Sequence, residues 1–173
     1  MSPALSRRAR VSAMVTLLAC LWCLLALAPP ILHAFEHHTS AVITRAALSP
    51  VCHQIASRSF AFGGRPMAVC ARCAGVYLGF LAGCLFVTMA LRPTAPPPGR
   101  NVLMLAGAPC ALEWVIEKAG FWSGNMNVRA ATGVIFGFVV AFYVIPAVDE
   151  MLADLAASIG RPASWRTGSH AKA

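Results

Sequence analysis

Charge is what this chain has least of. Only 12% of its residues are charged while 58% are hydrophobic, against about 25% charged in ordinary soluble domains. That shortfall excludes a soluble single domain. The apolar residues also lack any alternating or helical-stripe pattern. They fall instead in blocks, and blocks of about 18 or more mark membrane-spanning helices. A basic stripe is missing too. The net charge of +8 is scattered over the ends of the blocks, where it sets topology and meets anionic lipid headgroups. The expected partner is therefore the lipid bilayer and not nucleic acid.

Further absences narrow the chemistry. Ala74 follows Cys70-Ala71-Arg72-Cys73 where a covalent haem motif requires histidine. The 118–129 loop holds no cysteine, so a second thiol pair, which would pass oxidising equivalents on, is lacking. The extramembrane cysteines are three in number, Cys52, Cys70 and Cys73, and an odd set does not suit purely structural disulfides.

Four apolar blocks are present, at about 11–32, 74–91, 102–117 and 130–148. The third is the weakest, because Glu113 interrupts it and Pro109 should kink it. The expected fold is an all-α integral membrane protein with four transmembrane helices and one Cys/His-rich extramembrane loop. Its divisions are 1–32 (tail and first span), 33–73 (the loop), 74–148 (three further spans) and 149–173 (a surface helix and flexible tail). The first block resembles a secretory signal, and Leu17-Leu18-Ala19-Cys20 resembles a lipoprotein cleavage box. The apolar run continues through Trp22-Cys23-Leu24-Leu25, longer than an h-region of about 7–15 residues, so an uncleaved span is expected. Cys20, Cys23, Cys84 and Cys110 lie inside spans and read as small apolar residues.

In the loop, Ser49-Pro50 predicts a short helix over 50–58, with serine as cap and proline in the first turn. Gly63-Gly64-Arg65-Pro66 predicts a turn back to the membrane. Gly75, Gly79 and Gly83 share one helix face, as do Gly133, Gly137 and Ala141. Small-residue ribbons let helices approach closely in lipid, so spans two and four should pair; the same faces also offer a route to a homo-oligomer. Glu113 and Glu117 share a face of span three, with Arg129 and Lys118 as available partners. Intramembrane acids usually face the bundle and pair. A structural ion pair is the leading reading of Glu113, and a proton or ion pathway the alternative. Phe121-Trp122 reads as an interfacial aromatic belt. Arg92-Pro93 to Pro98-Gly99-Arg100 reads as a stiff connection. Counting Lys and Arg with the N-terminus inside gives eight inside and six outside, which places the loop away from the cytoplasm.

The loop gathers three thiols with His33, His37, His38 and His53. Cys70-x-x-Cys73 is a knuckle whose sulfurs can meet on one atom, and Cys3His or Cys2His2 sets suit tetrahedral zinc. Cys52, His53, Cys70 and Cys73 are the expected ligands, with His37 or His33 as alternatives to His53. Arg58 and Arg72 would offset a zinc–thiolate charge or grip a lipid headgroup, and Tyr77 would close the site from the membrane side. The competing chemistry is thiol–disulfide exchange at Cys70 and Cys73, favoured by the helix dipole and Arg72. A plain disulfide is a further alternative.

These residues carry a resemblance. Cys52-His53-Gln54, Arg58-Ser59 and Cys70-x-Arg72-Cys73-x-Gly75-x-Tyr77-x-Gly79 resemble the signature of a family of small prokaryotic predicted membrane proteins, domain-of-unknown-function family 2085. Asn127-x-Arg129-x-x-Thr132-Gly133-x-x-x-Gly137 is similar to its final block, and Glu113 stands where the pattern has aspartate, keeping the charge on a longer arm. The match covers about 48–148. It implies a multi-span protein with a shared site at Cys52, His53, Cys70 and Cys73, and it implies no activity.

Overall fold

A computed structural model describes residues 3–89, 97–122 and 124–159. The chain runs α1 (Pro3–Ala34), α2 (His38–Leu48), a 3-10 turn (Ala56–Arg58), a hairpin of β1 (Ala61–Phe62) and β2 (Arg65–Pro66), then α3 (Ala71–Met89), α4 (Arg100–Lys118) and α5 (Met126–Ile159). The fold is mostly helical. Three helical stretches are long and apolar enough to cross a membrane: Ser6–Ala34, Ala71–Met89 and Met126–Ile159. The four-span expectation is thus met by three helices on length and composition. The fourth candidate, α4, forms as a 19-residue helix without a break at Pro109, but Arg100, Glu113, Glu117 and Lys118 lower its apolar content. Most of the proline-rich connection, 90–96, and the tail from Gly160 lie outside the described residues.

The central pair is α3 with α5, as the glycine ribbons predict. A methyl group on Gly83 would stand 2.5 Å from the Phe138 carbonyl oxygen, and one on Gly133 2.5 Å from that of Arg72. Gly75, Gly79 and Gly137 press on the Ala130, Val134 and Val76 carbonyls in the same way. Backbone thus packs on backbone, the close approach that substitutes for a hydrophobic drive in lipid. These faces fill one another inside the chain. The contacts advance together (75 with 130, 79 with 134), so α3 and α5 run parallel. α1 is antiparallel to α3, with Trp22 edge-on to Tyr77 (centroids 5.9 Å) and Ser12 Oγ 2.6 Å from Thr88 Oγ1.

The fourth helix does not stop at 148. α5 runs on through Pro146, and Asp149, expected on a surface helix, is only 2% exposed. Its carboxylate accepts from Arg7 Nε (2.8 Å) and Arg8 Nε (2.9 Å). A buried carboxylate needs such partners, so the arginine-rich start of the chain is helical and tied to the end of the bundle.

The loop differs from expectation at Ser49-Pro50. That dipeptide ends a helix instead of starting one: α2 closes at Leu48, and Ser49 Oγ donates to the Ala46 carbonyl (2.8 Å). Serine serves either end by bonding locally to backbone. The apolar periodicity upstream decides which, since Ala41 and Leu48 are the buried residues of α2. Only the 3-10 turn Ala56–Arg58 falls in the expected 50–58 helix. The Gly63-Gly64 turn forms as read, with φ of +56° and +74°, the two positive values a type I′ hairpin requires. Phe62 pairs with Arg65 across it.

The hairpin is fastened to α1 by a gap in that helix. Pro30 has no N–H for the Ala26 carbonyl, and the Ala68 N–H donates to it instead, at 3.3 Å. Leu48, Met67, Ala68, Val69 and Ala26 then bury together under the loop.

Candidate metal centre

Three thiols converge where the loop meets α3. Cys52 lies one turn past α2, its N–H bonded to the Leu48 carbonyl (3.2 Å). Cys70 caps the start of α3, its carbonyl accepting from the Ala74 N–H (2.9 Å), and Cys73 sits in the first helical turn. The sulfurs of Cys52, Cys70 and Cys73 all lie within 4.8 Å of one another. Sulfurs bound to one zinc ion at about 2.3 Å stand about 3.8 Å apart in tetrahedral geometry, so a small contraction brings the set onto one ion. Cys52 is buried, whereas Cys70 and Cys73 are half-buried. The Cys70 N–H donates to Cys52 Sγ at 3.2 Å, joining the two ends of the loop and steadying a thiolate. The Cys70 thiol is pulled down to about 5. The Cys73 thiol bonding to its sulfur is the largest cause, and the Cys73 N–H, the Cys52 thiol and the Arg72 N–H add to it against desolvation. Soft, close and part-ionised donors fit a thiophilic metal ion.

The loop backbone is set by residues around the thiols. Arg45 Nη1 donates to the Met67 (2.9 Å) and Pro66 (3.2 Å) carbonyls. Gln54, at φ +52°, donates to the Arg45 carbonyl (2.5 Å). The glutamine of Cys-His-Gln thus orders the loop between the thiols. Tyr77 packs against the cluster that buries Cys52.

The histidines stand elsewhere. His53 is exposed, and its ring is outside the three-sulfur group. His33 and His38 pair with each other, Nδ1 to Nδ1 at 2.9 Å, and His37 is exposed. Among the described residues the close donors are the three cysteines alone.

Arg58 and Arg72 both face carboxylates on α4. Arg72 Nη2 is 2.8 Å from Glu113 Oε2, and Arg58 Nη2 is 2.6 Å from Glu117 Oε1. Arg129 Nη2 reaches Glu117 Oε2 (2.9 Å), and its Nε lies 3.5 Å from Glu113 Oε1. Glu113 therefore takes the Arg129 pairing read from sequence, and Lys118 plays no part in it among the described residues. Three guanidinium groups against two carboxylates form one network from the loop to α3, α4 and α5. It favours the structural ion-pair reading of Glu113, with Arg72 and Arg58 as the partners that spacing alone did not reveal. The available signal was that the signature residues Arg58, Arg72 and Arg129 outnumber the acids Glu113 and Glu117 that share one face of span three.

The family described as "Predicted membrane protein (DUF2085)" matches residues 52–143, which hold the three thiols and the ion-pair network. An uncharacterised protein of Methanocaldococcus jannaschii is 36% identical over 108 residues, covering 62% of this chain and 69% of its own length. An uncharacterised protein of Methanothermobacter thermautotrophicus is 30% identical over 92 residues, covering 53% and 81%. No solved structure matches. With more than half its length matched, across the thiol loop and the helices that carry its arginines and acids, the chain belongs to the DUF2085 family of predicted membrane proteins.

Proposed function

We propose that this is a multi-pass protein of a prokaryotic plasma (inner) membrane whose outward-facing loop is locked onto the helix bundle by a zinc-type site. Cys52, Cys70 and Cys73 supply thiolates, and His53, beside Cys52 in sequence, swings in as fourth ligand. The observation that carries this is the convergence of three sulfurs from both ends of one loop within 4.8 Å. Zinc would supply a cross-link to a loop in which only Ser59 is buried between Cys52 and Met67, binding and folding being one event in such sites. All four long helices cross in this reading, and the first is retained. At 19 residues and about 1.5 Å per residue, α4 extends about 28 Å, close to a hydrocarbon core of about 30 Å. It runs antiparallel to α5, with Gly99 bonded to Tyr143 at one end (3.0 Å) and Glu117 to Arg129 at the other (2.9 Å).

The test is metal content and thiol state on one detergent-purified sample. About one zinc per chain, with Cys52, Cys70 and Cys73 alkylated only after chelation, supports the reading. No metal, with Cys70 and Cys73 joined by a bond that mild reductant opens, supports the second reading, a membrane thiol–disulfide oxidoreductase. What favours that alternative is Cys70 itself, a thiol with its pKa lowered to about 5 at a helix N-terminus.

A further inference from the structure

α4 is the least embedded of the long helices. Among the described residues its buried side chains are Ala106 and Glu113, and it packs chiefly along α5. Two of the three arginines that hold its carboxylates belong to the thiol site. Arg58 lies between Cys52 and Cys70 in the loop, on Glu117 (2.6 Å), and Arg72 lies inside Cys-x-x-Cys, on Glu113 (2.8 Å). The third, Arg129, is on α5. An open groove of about 330 Å³ lies where α4 meets α3 and α5, lined by Arg72, Gly107, Cys110, Ala111, Trp114 and Phe136.

From this arrangement we infer that the thiol site sets the docking of α4: closing the Cys52/Cys70/Cys73 cluster holds Arg58 against Glu117 and steadies Arg72, inside Cys-x-x-Cys, against Glu113, and opening it loosens the helix. The inference rests on the closed thiol site proposed above. The physical reason is that a part-exposed ion pair holds only while both partners are held in place. Arg58 is placed by a loop in which only Ser59 is buried between Cys52 and Met67, and in which Phe60 packs against the cluster that holds Cys52, Met67 and Val69. Once the thiols part, ordering that loop costs more than the pair returns. Glu117 then keeps Arg129 (2.9 Å) and the more distant Arg72 (4.0 Å), and the groove beside Cys110 widens.

Cys110 reports the event, and Cys84, fully buried where α3 packs on α1 and α5, serves as the control. The protein is loaded with zinc in detergent, and alkylation by N-ethylmaleimide is followed per cysteine by peptide mass spectrometry. Chelation should speed alkylation of Cys110 roughly tenfold, as for a local opening made about 1.4 kcal/mol easier, and leave Cys84 unchanged. Arg58→Gln should speed Cys110 without loss of bound zinc. Zinc removed and counted, with Cys110 unchanged, overturns the coupling; so does a parallel rise at Cys84, which would mean global unfolding. Should the protein hold no zinc, the metal reading fails by itself. Cys52→Ser then decides the coupling, because it dismantles the same cluster: faster Cys110 alkylation supports it and an unchanged rate refutes it.

Discussion

Replacing Glu113 by glutamine removes the charge-network member whose side chain is most buried, at 4% exposure, while keeping its shape. Its Oε2 accepts from Arg72 Nη2 (2.8 Å) and Nε (3.3 Å), and its Oε1 faces Arg129 Nε at 3.5 Å without a hydrogen bond. At an effective dielectric of about 20, unit charges at such separations attract by roughly 5–6 kcal/mol per pair. Most of that offsets the cost of taking the ions from water, and removing one partner of a buried pair usually costs about 3–5 kcal/mol. The Arg72 side chain is 25% exposed, so water screens its share and the low end applies, about 3 kcal/mol. The network's surplus positive charge rises from one to two in the variant, and the glutamine N–H₂ finds only donors beside it. Thermal unfolding in mild detergent should fall by roughly 6–12 °C, taking about 2–4 °C per kcal/mol for a chain of this size. Arg129→Met in the same background returns the surplus to one and should recover part of the loss, a coupling that a double-mutant cycle reads. A Glu113→Gln protein within about 0.5 kcal/mol of the parent would refute the reasoning. So would one that keeps its stability and loses ion uptake or efflux, which would make Glu113 a pathway residue.

Other expectations are more local. Gly79→Leu should separate α3 from α5, since even a methyl there runs into the Val134 backbone; loss of the folded species in detergent chromatography checks this, and a normally folded variant would count against the ribbon packing. Pro30→Ala restores an N–H that competes for the Ala26 carbonyl. The Ala68 N–H then loses its acceptor, so proteolysis around residues 60–66 should quicken, as for the loss of about 1 kcal/mol of hydrogen bonding. In metal-free protein, alkylation of Cys70 should follow a pH midpoint near 5 instead of the ordinary 9.0. The folded thiol sheds its proton more readily than the unfolded one, so its contribution to stability is full above pH 9 and is lost as pH falls through 5. A Cys70 rate still climbing at pH 9 would contradict the site geometry.

Much of the fold was legible because lipid imposes few solutions. Long apolar blocks must be helices, and glycines four apart must mark close packing. The α3–α5 pair follows from those rules, and the Gly63-Gly64 hairpin from glycine's freedom to take two positive φ values. The thiol cluster was legible in its cysteines, since Cys-x-x-Cys spacing fixes two sulfurs and the loop returns the third. What was not legible depended on distance in space. Ser49 bonds equally well as a start or a stop signal, and only the burial of Leu48 settled which. Asp149 looked exposed from its place after an apolar run, yet it meets Arg7 and Arg8 from the far end of the chain.

By itself, then, the sequence determined that this chain lives in a membrane, which helices press together, and that three thiols crown the second apolar block. Tertiary structure alone decided how the charges are spent. Arginines that spacing offered as counter-ions for a metal turned out to clasp Glu113 and Glu117 on a helix some forty or more residues away, and the histidine beside Cys52 was left outside the sulfur group. The reason is electrostatic: a carboxylate in a low-dielectric bundle takes whichever guanidinium the fold brings nearest, and that proximity is not written in the order of residues.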